Sequence, residues 1–175
     1  CVVEHKAVLI PCKKLAEMGF DVIFLPVDSG GRISVDEAAS VINENTFLVT
    51  IQGANNEIGT LQPIAEIGDI ARKCGAWMHC DAAQVVGKIP LNVDEWNIDL
   101  LSISAHKVYG PKGIGALYVR GGLHNIPIEP LFYGGGQEWG LRSGTTNVPS
   151  IVGFGEACRI ASLEMPEESI RIAAS

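Results

Sequence analysis

The sequence has few basic residues, few aromatic residues and no long apolar run, and these shortages exclude several classes of protein. Its 175 residues carry 13 Lys and Arg against 20 Asp and Glu, which gives a formal net charge of −7. Nucleic-acid binding needs clustered basic side chains that neutralise phosphates, so we expect no nucleic-acid partner. No apolar run reaches the length of a membrane span and no signal peptide is visible, so we expect no membrane partner.

The five cysteines include no CxxC pair. An odd number of thiols without such a pair is typical of a reducing, cytoplasm-like compartment. Cys80, which stands between His79 and Asp81, raises the alternative of a metal site. Because His79 points to the opposite face of its strand from its neighbours, and no second ligand pair follows at metal spacing, we expect no metal.

The remaining composition, with 47% hydrophobic residues and 20 glycines, is typical of one compact α/β domain. Apolar periodicity predicts strands over residues 21–27, 47–51, 76–80, 100–104 and 116–119, and helices over residues 5–18, 34–42, 63–74 and 150–164. This alternation predicts a mainly parallel sheet with flanking helices. The last connection between strands is too short for a helical crossover, so we expect the final strand to be antiparallel.

Local signals predict where the helices begin and end. Gly19 and Gly75 are typical helix stops, and Ser34 with Glu37 three residues later predicts a capping box. Pro11 lacks an N–H group, so we expect it only near a first helical turn.

Polar residues follow three of the predicted strands, where α/β sheets usually bind ligands. Lys107 can act as a Schiff-base amine if it is partly desolvated, and the alternative is a solvated surface lysine. Ser104 and His106 beside it suit a phosphate. Asp81 can keep a heterocyclic nitrogen protonated, as pyridoxal phosphate requires, or can simply cap the following turn. Asn56 can present its amide to a ligand or serve its own turn.

The chain resembles the pyridoxal-phosphate cysteine desulfurases of iron–sulfur cluster assembly, in the class V aminotransferase family. The resemblance extends from Val3 to about Ala161 and is carried, in order, by VEHKAV, ANNEIG, HCDAAQVVGKIP, SISAHKVYGPKGIGALYV and GGGQEWGLRSGTTN. It implies pyridoxal phosphate as cofactor, L-cysteine as substrate, a homodimer, and an iron–sulfur scaffold or another sulfur acceptor as partner. It also implies the large domain of a fold-type I enzyme.

The resemblance further implies roles for eight residues. Lys107 of SAHK matches the lysine that binds the cofactor covalently and later moves the α-proton, and His5 matches the imidazole that stacks on the cofactor ring. The other implied contacts are Asp81 to the pyridine nitrogen, Gln84 to the phenolic oxygen, Asn56 near that oxygen and the substrate carboxylate, Ser104 and His106 to the phosphate, and Thr145 to the phosphate across a dimer interface.

The chain also departs from the family pattern. The sulfur-accepting cysteine loop, a phosphate-binding turn before Cys1 and a downstream substrate arginine have no match here, and Trp139 replaces the usual arginine of GGGQERG. We therefore expect residues 1–175 to be a partial large domain that lacks an N-terminal segment and the C-terminal small domain. By itself it should bind the cofactor weakly or not at all and should not complete desulfuration.

Two alternatives to the desulfurase stay open. Selenocysteine lyase shares the cofactor chemistry, and a non-catalytic fragment would keep the fold and the dimer surface. A mitochondrial location is the alternative to a cytoplasmic one, because a targeting peptide would precede Cys1.

Overall fold

Four strands lie side by side in one mixed sheet, in the same order as in the sequence. They are β1 (Leu48–Gln52), β2 (Trp77–Asp81), β3 (Leu100–Ser104) and β4 (Gly115–Val119). The first three are parallel to one another, and β4 is antiparallel to β3. The computed structural model, which describes residues 1–174, thus confirms the predicted mainly parallel sheet with one antiparallel strand.

Helices flank this sheet. They are α1 (Lys6–Glu17), α2 (Val35–Val41), α3 (Ile64–Lys73) and α4 (Val148–Ala173), with short 3-10 turns at Ala105–Val108 and Gln137–Gly140. Helix α3 buries Ile64, Ile67 and Ala71 at helical spacing and packs on β1 and β2. Helix α4 is longer at both ends than the predicted range of 150–164. Within residues 1–174, no helix combines the length and the apolar character needed to cross a membrane.

The helix ends predicted at Ser34, Gly19 and Gly75 agree with the structure because they depend on local backbone groups. The Ser34 hydroxyl accepts a hydrogen bond from the N–H of Glu37 at 3.3 Å, which caps the N-terminus of α2. Gly19 after α1 and Gly75 after α3 have φ angles of +95° and +77°. This left-handed conformation ends a helix and favours glycine.

The strand predicted over residues 21–27 is wrong. The segment is neither helix nor strand and belongs to no sheet. In the described part of the chain, one backbone hydrogen bond reaches it, from the N–H of Val2 to the carbonyl of Leu25 at 3.0 Å. A strand needs a repeated ladder of such bonds with a neighbour, and apolar periodicity alone does not supply that neighbour.

The expectation for Pro11 is also wrong, because it lies inside α1, beyond the first turn. A proline at this position cannot donate to the carbonyl of Ala7, four residues earlier. Both residues are exposed, so water can satisfy that carbonyl.

The two faces of the sheet differ in chemistry, because strand side chains alternate between faces. Core residues on one face include Val49, Ile51, Met78, Cys80 and Leu101. The alternate positions carry Thr50 and Gln52 on β1, His79 and Asp81 on β2, and Ser102 and Ser104 on β3. The polar face ends at the carboxyl edge of the sheet and forms the floor of a pocket.

Candidate functional site

A pocket of about 460 Å³ lies at the carboxyl ends of the three parallel strands. Seven of the eight residues predicted from the sequence line it, namely His5, Asn56, Asp81, Gln84, Ser104, His106 and Lys107. They come from separate segments, and the parallel register brings the strand ends to one edge. Thr145 is exposed and is not among the lining residues, so its role across a dimer interface stays a prediction.

Lys107 is held on the 3-10 turn that follows β3 directly. Ala105 and Val108 of this turn are buried against Phe154 of α4, which anchors the turn. The turn closes with a hydrogen bond from the N–H of Gly110 to the carbonyl of Ala105 at 2.9 Å. Lys107 itself is only partly buried, and it faces the pocket from this fixed turn.

Asp81 ends β2 and does two things at once. One carboxylate oxygen, Oδ1, accepts a hydrogen bond from the N–H of Ala83 at 3.0 Å. Asp81 thus caps the turn that follows β2, which was the alternative to a ligand contact. The side chain also lines the pocket, so a ligand contact and the cap are compatible.

Gln84 lies one turn beyond Asp81, and its amide is oriented by a neighbour. Its Oε1 accepts a hydrogen bond from the ammonium of Lys88, which leaves the Nε2 amide group as a donor. Burial, together with the positive charge of Lys107, lowers the pKa of Lys88. The pocket therefore has a donor amide supported by a second lysine.

Ser104 and His106 form a pair beside Lys107. The Ser104 hydroxyl and Nδ1 of His106 are 3.0 Å apart. Because this contact occupies Nδ1, the other ring nitrogen is left for a ligand. A hydroxyl, an imidazole and an amine at one strand end make a suitable group for binding an anion.

His5 is the N-cap residue of α1. Its Nδ1 accepts a hydrogen bond from the N–H of Ala7 at 3.1 Å. In a neutral ring the proton is therefore on Nε2. The cap fixes the position of the ring at the pocket wall, to which His5 contributes.

Sequence reasoning missed a polar row beneath these residues. Nδ1 of His79 is 2.7 Å from the hydroxyl of Thr50, and Nε2 is 2.9 Å from the hydroxyl of Ser102. Burial lowers the pKa of His79, although the charge of Asp81 opposes this shift. The sequence did contain a signal for this row: side chains alternate along β2 with a period of two, which places His79 and Asp81 on one face.

The cysteines lie away from this chemistry. None of the five, all within the described residues, lines the pocket. Cys80 is buried, and burial followed by the negative charge of Asp81 raises the pKa of its thiol, which disfavours the reactive thiolate. Nowhere in residues 1–174 do three or more His, Cys, Asp or Glu side chains gather closely enough to hold a metal ion.

Three known proteins illustrate what the chain is similar to. The mitochondrial cysteine desulfurase of Arthroderma benhamiae is 55% identical over 98% of this chain, and the match covers 34% of that relative. A solved structure described as a NifS-like protein has a TM-score of 0.89 and 48% identity, covering 94% of this chain and 45% of that one. A structure of SspA in complex with cysteine has a TM-score of 0.86 and 52% identity, and the match covers 90% of this chain and 45% of that one.

The chain thus spans between about a third and a half of the length of these relatives. The family model for the class V aminotransferases matches residues 1–172. This match covers nearly the whole sequence, and the strand-end pocket lies within it. The chain therefore belongs to the aminotransferase class-V family.

Proposed function

We propose that the protein containing this chain is a pyridoxal-phosphate-dependent cysteine desulfurase. The observation that carries the proposal is the pocket in which Lys107, Asp81 and His5 meet at the carboxyl edge of the sheet. In this reaction an acceptor thiolate takes the sulfur of L-cysteine and becomes a persulfide. The carbon skeleton takes up a proton and leaves as L-alanine.

The donor set of the pocket fits the cofactor. Pyridoxal phosphate has an aldehyde, a pyridine nitrogen, a phenolic oxygen and a phosphate. The pocket offers an amine for the first, a carboxylate for the second, an amide donor for the third, and a hydroxyl and an imidazole for the fourth. These are Lys107, Asp81, Gln84, Ser104 and His106, in that order.

When bound, the cofactor supplies a conjugated ring that takes up the electrons released as the substrate loses its α-proton. Lys107 would hold the aldehyde carbon and then act as the base at the substrate Cα. Asp81 would keep a proton on the ring nitrogen, because a carboxylate favours the protonated form of a neighbouring base. The cap to Ala83 fixes the orientation of this carboxylate.

The remaining groups would position the reactants. His5, with its proton on Nε2, would lie against the ring. Asn56 would bind near the phenolic oxygen and the substrate carboxylate, and Thr145 would reach the phosphate of a second subunit. Thr145 is exposed, which suits a contact made between the subunits of a homodimer.

The sulfur acceptor lies outside the pocket described here. Burial makes Cys80 a poor nucleophile, and the other four cysteines do not line the site. We propose that a cysteine elsewhere in the longer protein takes the sulfur and passes it to an iron–sulfur scaffold or another carrier. The cytoplasm and the mitochondrion are both suitable compartments for this reaction.

The test uses full-length protein with added pyridoxal phosphate, followed by borohydride. We expect a visible absorbance band that borohydride fixes to the protein and that Lys107→Ala removes. Lys112→Ala is the matched control, because Lys112 is an exposed lysine nearby that does not line the pocket. A fixed band of equal size in Lys107→Ala would contradict the proposal.

Product analysis then identifies the substrate. We expect alanine from L-cysteine in the full-length protein. Release of alanine from selenocysteine alone would identify a selenocysteine lyase. A fixed band without any alanine would favour a chain that binds the cofactor but does not turn over.

A further inference from the structure

Buried polar side chains meet where the segment before α1 crosses the end of β1. They are Glu4, Gln52 and Asn55, and all three are buried. A buried polar group is destabilising unless it is hydrogen-bonded. Their hydrogen bonds therefore show which backbone segments this cluster holds together.

The amide of Asn55 is used at both ends. Its Oδ1 accepts the N–H groups of Glu57 and Ile58 at 2.9 and 3.0 Å, which shapes the loop that carries Asn56. Its Nδ2 donates to the carbonyl of Val3 at 2.9 Å. One side chain thus joins the Asn56 loop to a segment 52 residues earlier in the sequence.

Gln52 reinforces the connection to Val3. Its Nε2 donates to the same Val3 carbonyl at 2.7 Å, and its backbone N–H donates to Oε1 of Glu4 at 2.9 Å. His5 follows Glu4 directly and caps α1. The carbonyl of Val3, held by two amide donors, therefore sets where the His5 ring enters the pocket.

We propose that Asn55 is a positioning residue that holds two pocket groups, His5 and Asn56, in a fixed relation to each other. Asn55 does not line the pocket, and it acts through the residues on either side of it. The inference rests on the proposed function for what His5 and Asn56 do. The physical connection itself rests on the hydrogen bonds of Asn55.

Substitutions of Asn55 can separate the contribution of its Oδ1 from that of its Nδ2. Asn55→Asp keeps an oxygen acceptor for the loop but replaces the Nδ2 donor with a second oxygen, which repels the carbonyl of Val3. Asn55→Ala removes both ends. The matched control is Gln62→Glu, because Gln62 is a buried amide that also bonds at both ends, to the N–H of Ile33 and the carbonyl of Gly31, and does not line the pocket.

Hydrogen–deuterium exchange of the cofactor-free protein tests the connection. In Asn55→Asp we expect exchange in residues 1–9 to rise about tenfold, with little change in residues 55–60. Asn55→Ala should raise exchange in both segments. Gln62→Glu should leave exchange in residues 1–9 unchanged, and exchange in residues 1–9 that stays within about twofold of the wild type in Asn55→Asp would overturn the proposal.

Cofactor affinity separates positioning from a purely structural role. By fluorescence titration with pyridoxal phosphate, we expect Asn55→Asp to bind about tenfold more weakly than Gln62→Glu. Faster exchange with unchanged affinity would overturn the positioning role. The two proposals fail differently. If Asn55→Asp keeps wild-type exchange and wild-type cofactor affinity while Lys107→Ala loses its absorbance band, the positioning role is overturned and the proposed function is intact.

A second variant keeps the test decisive if Asn55→Asp does not fold, as judged by circular dichroism. Gln52→Met removes the other donor to Val3 without adding a charge. It should raise exchange in residues 1–9 and weaken cofactor binding in the same direction. Unchanged exchange in this variant would also overturn the proposal.

Discussion

The imidazole of His79 should make the stability of the fold fall as the pH falls through about 6.5. Its pKa in the folded protein is lowered by burial from the ordinary value of 6.5. As the pH falls, the unfolded chain therefore takes up a proton at a higher pH than the folded protein does. Because the unfolded state binds more protons, the free energy of unfolding falls as the pH falls.

The size of this effect follows from proton linkage. One bound proton changes the free energy of unfolding by about 1.4 kcal/mol per pH unit. At about pH 5.5, one unit below the ordinary pKa, His79 can therefore lower stability by at most about 1.4 kcal/mol. Glu4 acts in the opposite direction, because burial raises its pKa above 4.5 and stability then rises as the pH falls.

The variant His79→Gln separates these contributions. The amide can hydrogen-bond to Thr50 or to Ser102, but it does not titrate. We expect the variant to lose about 1 kcal/mol at neutral pH, because one amide group cannot occupy the positions of both ring nitrogens and so cannot keep both hydrogen bonds of the imidazole. The contribution of Glu4 is present in both proteins and cancels in their difference.

The assay is urea unfolding followed by circular dichroism at about pH 7.5 and about pH 5.5. Between these values the wild type should lose up to about 1.4 kcal/mol more than His79→Gln. His124→Gln, at an exposed histidine, is the control for removing an imidazole. A stability difference between wild type and His79→Gln that does not change with pH would refute the reasoning.

Two further predictions concern packing and the edge of the sheet, and both are measured by urea or thermal unfolding. Gly53→Ala would place a methyl group 2.4 Å from Cγ2 of Val85, so we expect a loss of about 1–3 kcal/mol. Gly155→Ala in α4 meets no atom within 4 Å and should gain about 1 kcal/mol, so equal effects of the two changes would contradict this account. Arg120 donates to two carbonyls within residues 93–98 and pairs with acidic side chains of the same loop. Arg120→Lys keeps the charge but loses the planar fork and should cost about 1–3 kcal/mol; wild-type stability would show that the fork is not needed.

Several features of the fold are determined by short-range patterns and were predictable from the sequence. Glycines at positions 19 and 75 end helices because their backbone can adopt positive φ, and Ser34 begins one because its hydroxyl bonds three residues ahead. Alternating apolar residues indicate strands because side chains alternate in direction. The polar residues at strand ends could be placed near one another because parallel strands end at one edge.

Other features depend on contacts that are distant in the sequence. The pattern of residues 21–27 is suited to a strand, but a strand forms only with a hydrogen-bonded neighbour, and the described chain offers this segment one backbone bond. His79 gained its partners only when β1 and β3 came to lie on either side of β2. The lowered pKa of His79 is a consequence of burial, which the period of two does not measure.

Asn55 shows the same division within one side chain. Its bonds to Glu57 and Ile58 are local, and an asparagine in a loop predicts such a turn. Its bond to Val3 spans 52 residues and exists only because the chain folds back over the end of β1. The sequence by itself thus determined four of the five predicted strands, the helix ends at Ser34, Gly19 and Gly75, and the residue types at the pocket. The tertiary structure decided which segments pair, which polar groups are buried, and which of them hold the pocket residues in place, because those properties depend on neighbours far away in the sequence.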